Sequence, residues 1–231
     1  MAIKGFQGTS LLDFPGRIAS LVFFHGCNLS CPFCHNPALL GDPRSLPDFP
    51  VELLFEELEQ RCGFIDGIVL TGGEPTLAPE LDEVVEAARE LGLLVKLDTN
   101  GLAPRVLERL LGRGRLDYVA LDLKTVPERY GELHRRPVDP DALKRSLELL
   151  KAADIDWELR TTCVPGFVEQ EDLLRMAELA RGARRWVLQQ YSGQVTFDPA
   201  MAQCEPHPVQ VLKGWRDLVA DCADEVLLRG V

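Results

Sequence analysis

The chain has no hydrophobic run long enough to cross a membrane. Its longest apolar stretches, such as IASLVFF at 18–24, are far shorter than the roughly 20 residues that a transmembrane helix needs. The first ten residues, MAIKGFQGTS, lack the apolar core of a secretory signal peptide. We therefore expect a cytoplasmic protein without a membrane partner.

The chain also lacks an excess of basic residues. Its 231 residues include 25 lysines and arginines against 36 aspartates and glutamates, a formal net charge of -11. This charge repels phosphate backbones, so we do not expect nucleic acid as a partner. The sequence shows no internal repeat and no low-complexity tract, and a length of this size predicts a single domain over 1–231.

Short runs of β-branched and aliphatic residues predict six strands with helical segments between most of them. We place the strands at 18–24, 67–71, 93–97, 118–123, 157–162 and 186–190. Alternating strands and helices predict βαβ units and parallel strands. Polar or ligand-type residues follow all six strands, as in a barrel that builds its site from many strand ends. The predicted fold is therefore α/β, a partial, open TIM-type barrel of about six βα units, with its core at about 17–191 and a C-terminal loop and helix at 192–231.

Three of the seven cysteines lie within eight positions, in the segment GCNLSCPFCHN that follows the first predicted strand. Because the cytoplasm is reducing, Cys27, Cys31 and Cys34 are expected to be ligands or reactive thiols rather than disulfides. The Asn, Ser and Pro residues between them indicate a turning loop, which disfavours three core positions. A redox pair would need only Cys31 and Cys34. A zinc site would need a fourth ligand, for which His25 or His35 is available.

A third interpretation accounts for all three thiols. An iron–sulfur cube normally takes four thiolates, one for each iron. Three thiolates from one loop would leave the fourth iron open to an exogenous ligand, much as a catalytic metal keeps one position free for substrate. The zinc alternative, as a non-catalytic interaction module, and the redox alternative remain open on the residues alone.

The CxxxCxxC spacing, with Phe33 directly before the last cysteine, resembles the radical S-adenosylmethionine (SAM) superfamily. A second motif, TGGEPT at 71–76, resembles the GGEP element of that superfamily, although alone it is also typical of an ordinary strand-to-helix turn. The resemblance implies a [4Fe–4S] cluster on the three cysteines and SAM on the open iron. It also implies reductive cleavage of SAM to a 5′-deoxyadenosyl radical, chemistry that belongs to the cofactors while the protein orients them.

The resemblance narrows toward the activating enzymes of glycyl radical enzymes, in particular those of anaerobic ribonucleotide reductase. The segments DFPGR, LDTNG, LDLK and LRTTCVPG are similar to motifs of these enzymes. This implies that the enzyme abstracts hydrogen from a glycine of a partner protein and receives its electron from a small donor such as flavodoxin or ferredoxin. A radical SAM enzyme that acts on a small molecule is the alternative.

Several further residues take expected roles from the resemblance. Asp98, Thr99 and Asp122 would form a monovalent-cation site near the methionine carboxylate of SAM. The residues expected to contact SAM or to shape its pocket are Phe33, Gly72, Gly73, Glu74, Thr99, Asn100, Lys124, Arg160 and Gln190.

The chain departs from the related pyruvate formate-lyase activating enzymes at Ser192, where those enzymes have a histidine; Gln190 is the expected substitute. The remaining cysteines are isolated in sequence, so no eight-iron ferredoxin insert is expected. Cys62 and Cys222 lie on apolar helical stripes and are expected in the core. Cys163, at a predicted strand end, is a candidate for facing the cavity.

Overall fold

The computed structural model describes residues 3–134 and 138–231 and divides them into two compact units. The first unit contains residues 3–28, 38–99 and 105–119, and the second contains residues 29–37, 100–104, 120–134 and 138–231.

The first unit is built on parallel strands with one antiparallel strand at the edge. Its elements are β1 (Ile3–Ser10), β2 (Ala19–Phe24), α1 (Val51–Arg61), β3 (Gly67–Gly72), α2 (Leu81–Glu90), β4 (Leu94–Thr99), α3 (Pro104–Gly112) and the start of β5 (Tyr118–Asp122). β1 pairs antiparallel with β2, whereas β2 with β3 and β3 with β4 pair in parallel. The strands β2, β3 and β4 are mainly apolar because strands of a parallel sheet are buried on both faces.

The second unit continues the alternation. Its elements are α4 (Pro140–Ala152), β6 (Asp156–Cys163), α5 (Gln170–Ala180), β7 (Ala183–Gln190), α6 (Val209–Leu218) and β8 (Ala223–Arg229). β6, β7 and β8 pair in parallel in that order. α5 begins with a capping box between Glu169 and Asp172, which satisfies backbone N–H groups that would otherwise lack partners.

The strands follow their sequence order in the sheet, from β1 at one end to β8 at the other. This confirms the predicted α/β fold with parallel strands in an open sheet, and each of the six predicted strands is present within three residues of its expected bounds. β1 and β8 were not predicted. Both are edge strands with one neighbour, and the pattern of β8 is interrupted by the exposed acidic residues Asp224 and Glu225.

The described part of the chain contains no helix with both the length and the hydrophobicity that a membrane span requires.

Candidate active site

In the first unit, backbone hydrogen bonds join the segment after β2 to the segment after β3. The N–H of Gly73 donates to the Phe24 carbonyl at 2.8 Å, and the N–H of Glu74 donates to the Gly26 carbonyl at 2.7 Å. A Cβ atom at Gly73 would lie 2.0 Å from the Gly26 oxygen. Only glycine therefore permits this approach, which fixes the backbone immediately before Cys27.

The other two residues of the GGEP motif that are expected to contact SAM, Gly72 and Glu74, also have defined positions. Gly72 ends β3 with a φ of 117°, and a Cβ atom there would lie 2.5 Å from the Phe24 nitrogen. The Glu74 side chain is buried, and its Oε1 atom accepts hydrogen bonds from the hydroxyls of Thr76 at 2.6 Å and Thr99 at 2.7 Å. Glu74 thus joins the turn after β3 to the end of β4.

Asp98 lies at the end of β4 among donors of the same unit. The Lys96 ammonium forms an ion pair with Oδ1, and the Thr71 hydroxyl donates to Oδ2 at 3.2 Å. Lys96 is buried, with its Nζ atom 5.8 Å from the centroid of the Tyr118 ring. Lys96 was not predicted as a site residue. A lysine inside the apolar run LLVKLD is nevertheless a signal, because a buried ammonium needs a partner.

The second unit contains Cys31 and Cys34 in a loop anchored by an aromatic contact. The N–H of Cys34 donates to the Cys31 carbonyl at 3.0 Å. Between them, the buried Phe33 packs edge-on against Phe167, with ring centroids 5.1 Å apart. Phe33 therefore holds the loop to the core of its unit, and its predicted contribution to the SAM pocket remains a prediction.

Asp122 is held by two cations. The Arg160 Nε atom lies 2.9 Å from Oδ1, and the Lys124 Nζ atom lies 3.3 Å from Oδ2. Burial raises the pKa of Asp122, but the charges and hydrogen bonds of Arg160 and Lys124 outweigh burial and lower the pKa from 3.8 to about 2. Asp122, expected in the cation site, thus lies in one hydrogen-bonded cluster with Lys124 and Arg160, both expected at the SAM pocket, and these roles remain predictions.

The Cys31 thiol is affected by the same lysine. Burial raises its pKa to about 11, and the positive charge of Lys124 opposes part of that rise. Iron binds the thiolate, so metal binding would release this proton. Soft sulfur donors with a nearby ammonium group fit an iron–sulfur cluster. In the described residues, no three His, Cys, Asp or Glu side chains are gathered as a ready-made metal site.

The side-chain amides of Asn100 and Gln190 form hydrogen bonds within the second unit. The Asn100 Oδ1 atom accepts from the Leu102 N–H at 3.0 Å. The Gln190 amide donates to the His207 carbonyl at 2.8 Å and accepts from the Tyr191 N–H at 3.1 Å. Gln190 thus orders the chain after β7, and its SAM contact remains a prediction.

The isolated cysteines and Ser192 occupy different environments. Cys163 is fully buried, and burial raises the pKa of its thiol to about 12, while its expected position facing the cavity remains a prediction. Cys62 is exposed, so its predicted core position is wrong: it lies just past the end of α1 rather than on the helix. Cys222 is half-buried in a short 3-10 turn before β8. The Ser192 hydroxyl lies 3.5 Å from the Gln194 nitrogen.

Comparison with known proteins decides the family. The model of the radical SAM superfamily matches residues 21–180. The chain belongs to this superfamily. The "Putative glycyl-radical enzyme activating enzyme" of Methanocaldococcus jannaschii is 30% identical over 236 aligned residues, which cover 99% of this chain and 96% of that protein. The pyruvate formate-lyase 1-activating enzyme of Escherichia coli K12 is 30% identical over 191 residues, covering 78% of this chain and 74% of that enzyme.

Solved structures of low sequence identity share the fold of this radical SAM protein. Streptococcus suis SuiB bound to SAM matches with a TM-score of 0.68 at 18% identity, over 89% of this chain and 48% of SuiB. Methylornithine synthase matches with a TM-score of 0.59 at 14% identity, over 91% of this chain and 70% of that protein. The chain thus spans about half the length of SuiB. Membership of the superfamily implies an enzyme that uses SAM and a [4Fe–4S] cluster.

Proposed function

We propose that this radical SAM protein activates a glycyl radical enzyme, with anaerobic ribonucleotide reductase as its partner. The observation that carries the proposal is the similarity to an activating enzyme over almost the full length of both chains. The similarity to a second activating enzyme, that of pyruvate formate-lyase 1, supports the same class of partner. The proposed location is the cytoplasm.

Cys27, Cys31 and Cys34 are the proposed cluster ligands. When bound there, the cluster would pass one electron, received from a small donor such as flavodoxin or ferredoxin, to SAM, which would cleave to methionine and a 5′-deoxyadenosyl radical. That radical would take a hydrogen atom from a glycine Cα of the partner and leave as 5′-deoxyadenosine. The chain itself orients these groups. Gly73 fixes the backbone before Cys27, and the charge of Lys124 favours the thiolate of Cys31.

Asp122, Lys124 and Arg160 are proposed to orient SAM. One carboxylate and two cations give this cluster a net charge of +1, which suits the carboxylate of the methionine moiety. Asp122 keeps both cations in place before SAM arrives, so less side-chain entropy is lost on binding.

Electron paramagnetic resonance tests the activity. The protein is reconstituted anaerobically to about four irons per chain and incubated with SAM, dithionite and the anaerobic ribonucleotide reductase encoded by the same genome. We expect a glycyl-radical doublet on the reductase. The Cys31→Ala variant should lose iron and the doublet, whereas the matched Cys62→Ala variant, which alters an exposed cysteine outside the motif, should keep both.

Two outcomes would contradict the proposal in different ways. Release of 5′-deoxyadenosine without a doublet on the reductase would exclude this partner and favour a small-molecule substrate. One zinc and no iron in anaerobically purified protein would exclude the cluster itself. Replacing dithionite with reduced flavodoxin or ferredoxin then identifies the class of electron donor.

A further inference from the structure

We propose that the Lys96 ammonium takes the place of the monovalent metal cation expected at Asp98, so that SAM binding by this protein does not depend on potassium or sodium. The proposal rests on the use of SAM in the proposed function, but not on the identity of the partner protein. It makes Lys96 a positioning residue, because it acts through Asp98.

The first support is that both oxygens of Asp98 already have donors. Lys96 pairs with Oδ1, and the Thr71 hydroxyl donates to Oδ2. The Lys96 side chain is 2% exposed and the Asp98 side chain 12% exposed. A metal ion at Oδ1 would therefore have to displace an ammonium that is attached to the same strand and is almost completely shielded from water.

The second support is that the hydroxyl of Thr99, another expected cation ligand, already makes a hydrogen bond. Its hydroxyl donates to Glu74 Oε1 at 2.7 Å, and both side chains are buried. To turn this hydroxyl toward a metal ion would remove a hydrogen bond from a buried carboxylate, which is costly.

The third support comes from the second unit by itself. Asp122, the remaining expected ligand, is neutralised by Arg160 at 2.9 Å and Lys124 at 3.3 Å. Each aspartate of the predicted cation site therefore has a cationic side chain of this chain as its partner. The residues do not fit a metal ion that needs their oxygens free.

A lysine ammonium can replace the metal cation because it supplies the same positive charge next to Asp98. A buried carboxylate is unfavourable without a positive partner, and an unpaired one would repel the carboxylate of SAM. A dissolved ion supplies that charge only when its concentration exceeds its dissociation constant. An ammonium on a neighbouring residue of the strand supplies the charge at any salt composition. The Tyr118 ring adds a cation–π contact that holds it in place.

Equilibrium dialysis of SAM against the reconstituted holoenzyme tests the proposal. Binding is compared in about 0.1 M potassium, sodium or tetramethylammonium chloride, so that screening is equal and only the ability to enter a cation site differs. The wild-type dissociation constant should agree within about twofold among the three salts. The dissociation constant of SAM for Lys96→Met should rise about tenfold or more in tetramethylammonium chloride, because the buried Asp98 carboxylate loses its partner. Potassium chloride should restore most of the lost affinity.

Two variants serve as controls. Lys4→Met removes a comparable lysine, whose side chain is 3% exposed and pairs with Asp48, and should leave SAM binding independent of the cation. Lys96→Arg keeps a positive charge and should also bind SAM independently of potassium.

The melting temperature without SAM separates this proposal from the proposed function. Potassium, compared with tetramethylammonium, should raise the melting temperature of Lys96→Met but not that of the wild type. Saturable potassium dependence of the wild type, in either assay, would overturn the proposal. So would a Lys96→Met protein that binds SAM as the wild type does in tetramethylammonium. The wild-type measurements decide the matter even if Lys96→Met fails to fold.

Discussion

Replacing Gly73 by alanine tests the close approach on which the cysteine loop depends. The new Cβ atom would lie 2.0 Å from the Gly26 oxygen, 1.0 Å inside the 3.0 Å below which such contacts essentially never occur. Both groups belong to the backbone, so neither can rotate away. The two segments must separate, and this stretches the hydrogen bonds from Gly73 to Phe24 and from Glu74 to Gly26.

The magnitude follows from these contacts. Overpacking costs about 1–3 kcal/mol, and each weakened hydrogen bond adds about 1 kcal/mol. Allowing for partial relaxation, we expect Gly73→Ala to lower the free energy of unfolding by about 3 kcal/mol. The displacement occurs one residue before Cys27, so iron content after anaerobic reconstitution should fall as well.

Urea unfolding and iron analysis of two variants provide the assay. The matched control is Gly112→Ala, at the end of α3, where a Cβ atom would meet nothing within 4 Å. This change should be neutral or stabilising by up to about 1 kcal/mol, because alanine favours helix. If Gly73→Ala matched Gly112→Ala in stability and iron content, the argument from the close approach would be refuted.

Three further predictions concern single side chains. Because the pKa of Asp122 is about 2 when folded against 3.8 when unperturbed, its ion pairs stabilise the fold above pH 3.8, and that contribution disappears as the pH falls through 2. Asp122→Asn should therefore cost about 2 kcal/mol at pH 7 and much less at pH 2, as measured by urea unfolding. In iron-free protein, iodoacetamide at pH 7.5 should alkylate the exposed Cys62 well before Cys31, whose buried thiol has a pKa of about 11; peptide mass spectrometry gives the order. Phe33→Ala should lower the free energy of unfolding by about 3 kcal/mol through loss of the Phe167 contact, and a loss below about 1 kcal/mol would show that Phe33 does not anchor the loop.

The inner strands could be predicted from the sequence because buried strands are runs of mainly apolar residues. β2 is apolar except for Ser20, β3 is apolar as far as Leu70, and the polar residues of β4 are Lys96, Asp98 and Thr99. The edge strands β1 and β8 do not show such apolar runs. β1 contains Gly5 and Gly8, and only Ile3 and Ser10 of its eight residues are buried, so periodicity cannot distinguish it from a loop.

The candidate site was predictable in its residue types but not in its pairings. The cysteine motif and the glycines of GGEP are both visible in the sequence, and the structure explains the glycines by their close approach to the backbone after β2. The ion pair of Lys96 with Asp98 depends on the three-dimensional structure. Alternation along β4 places both side chains on one face, but only the structure shows that the ammonium reaches the carboxylate rather than solvent.

The net charge of the chain favours SAM over nucleoside phosphates. At neutral pH, SAM has a sulfonium, an ammonium and a carboxylate, for a net charge of +1, so the chain's charge of -11 attracts it while repelling nucleoside phosphates. The same negative field would oppose the SAM carboxylate at close range. If the roles proposed above are correct, local charges would remove that opposition, because Lys96 neutralises Asp98 and, in the second unit, Lys124 and Arg160 give the Asp122 cluster a net charge of +1. Under these proposals, long-range attraction of the whole cofactor and short-range orientation of its carboxylate come from different residues, so we expect substitutions at Lys96 or Lys124 to weaken the second without abolishing the first.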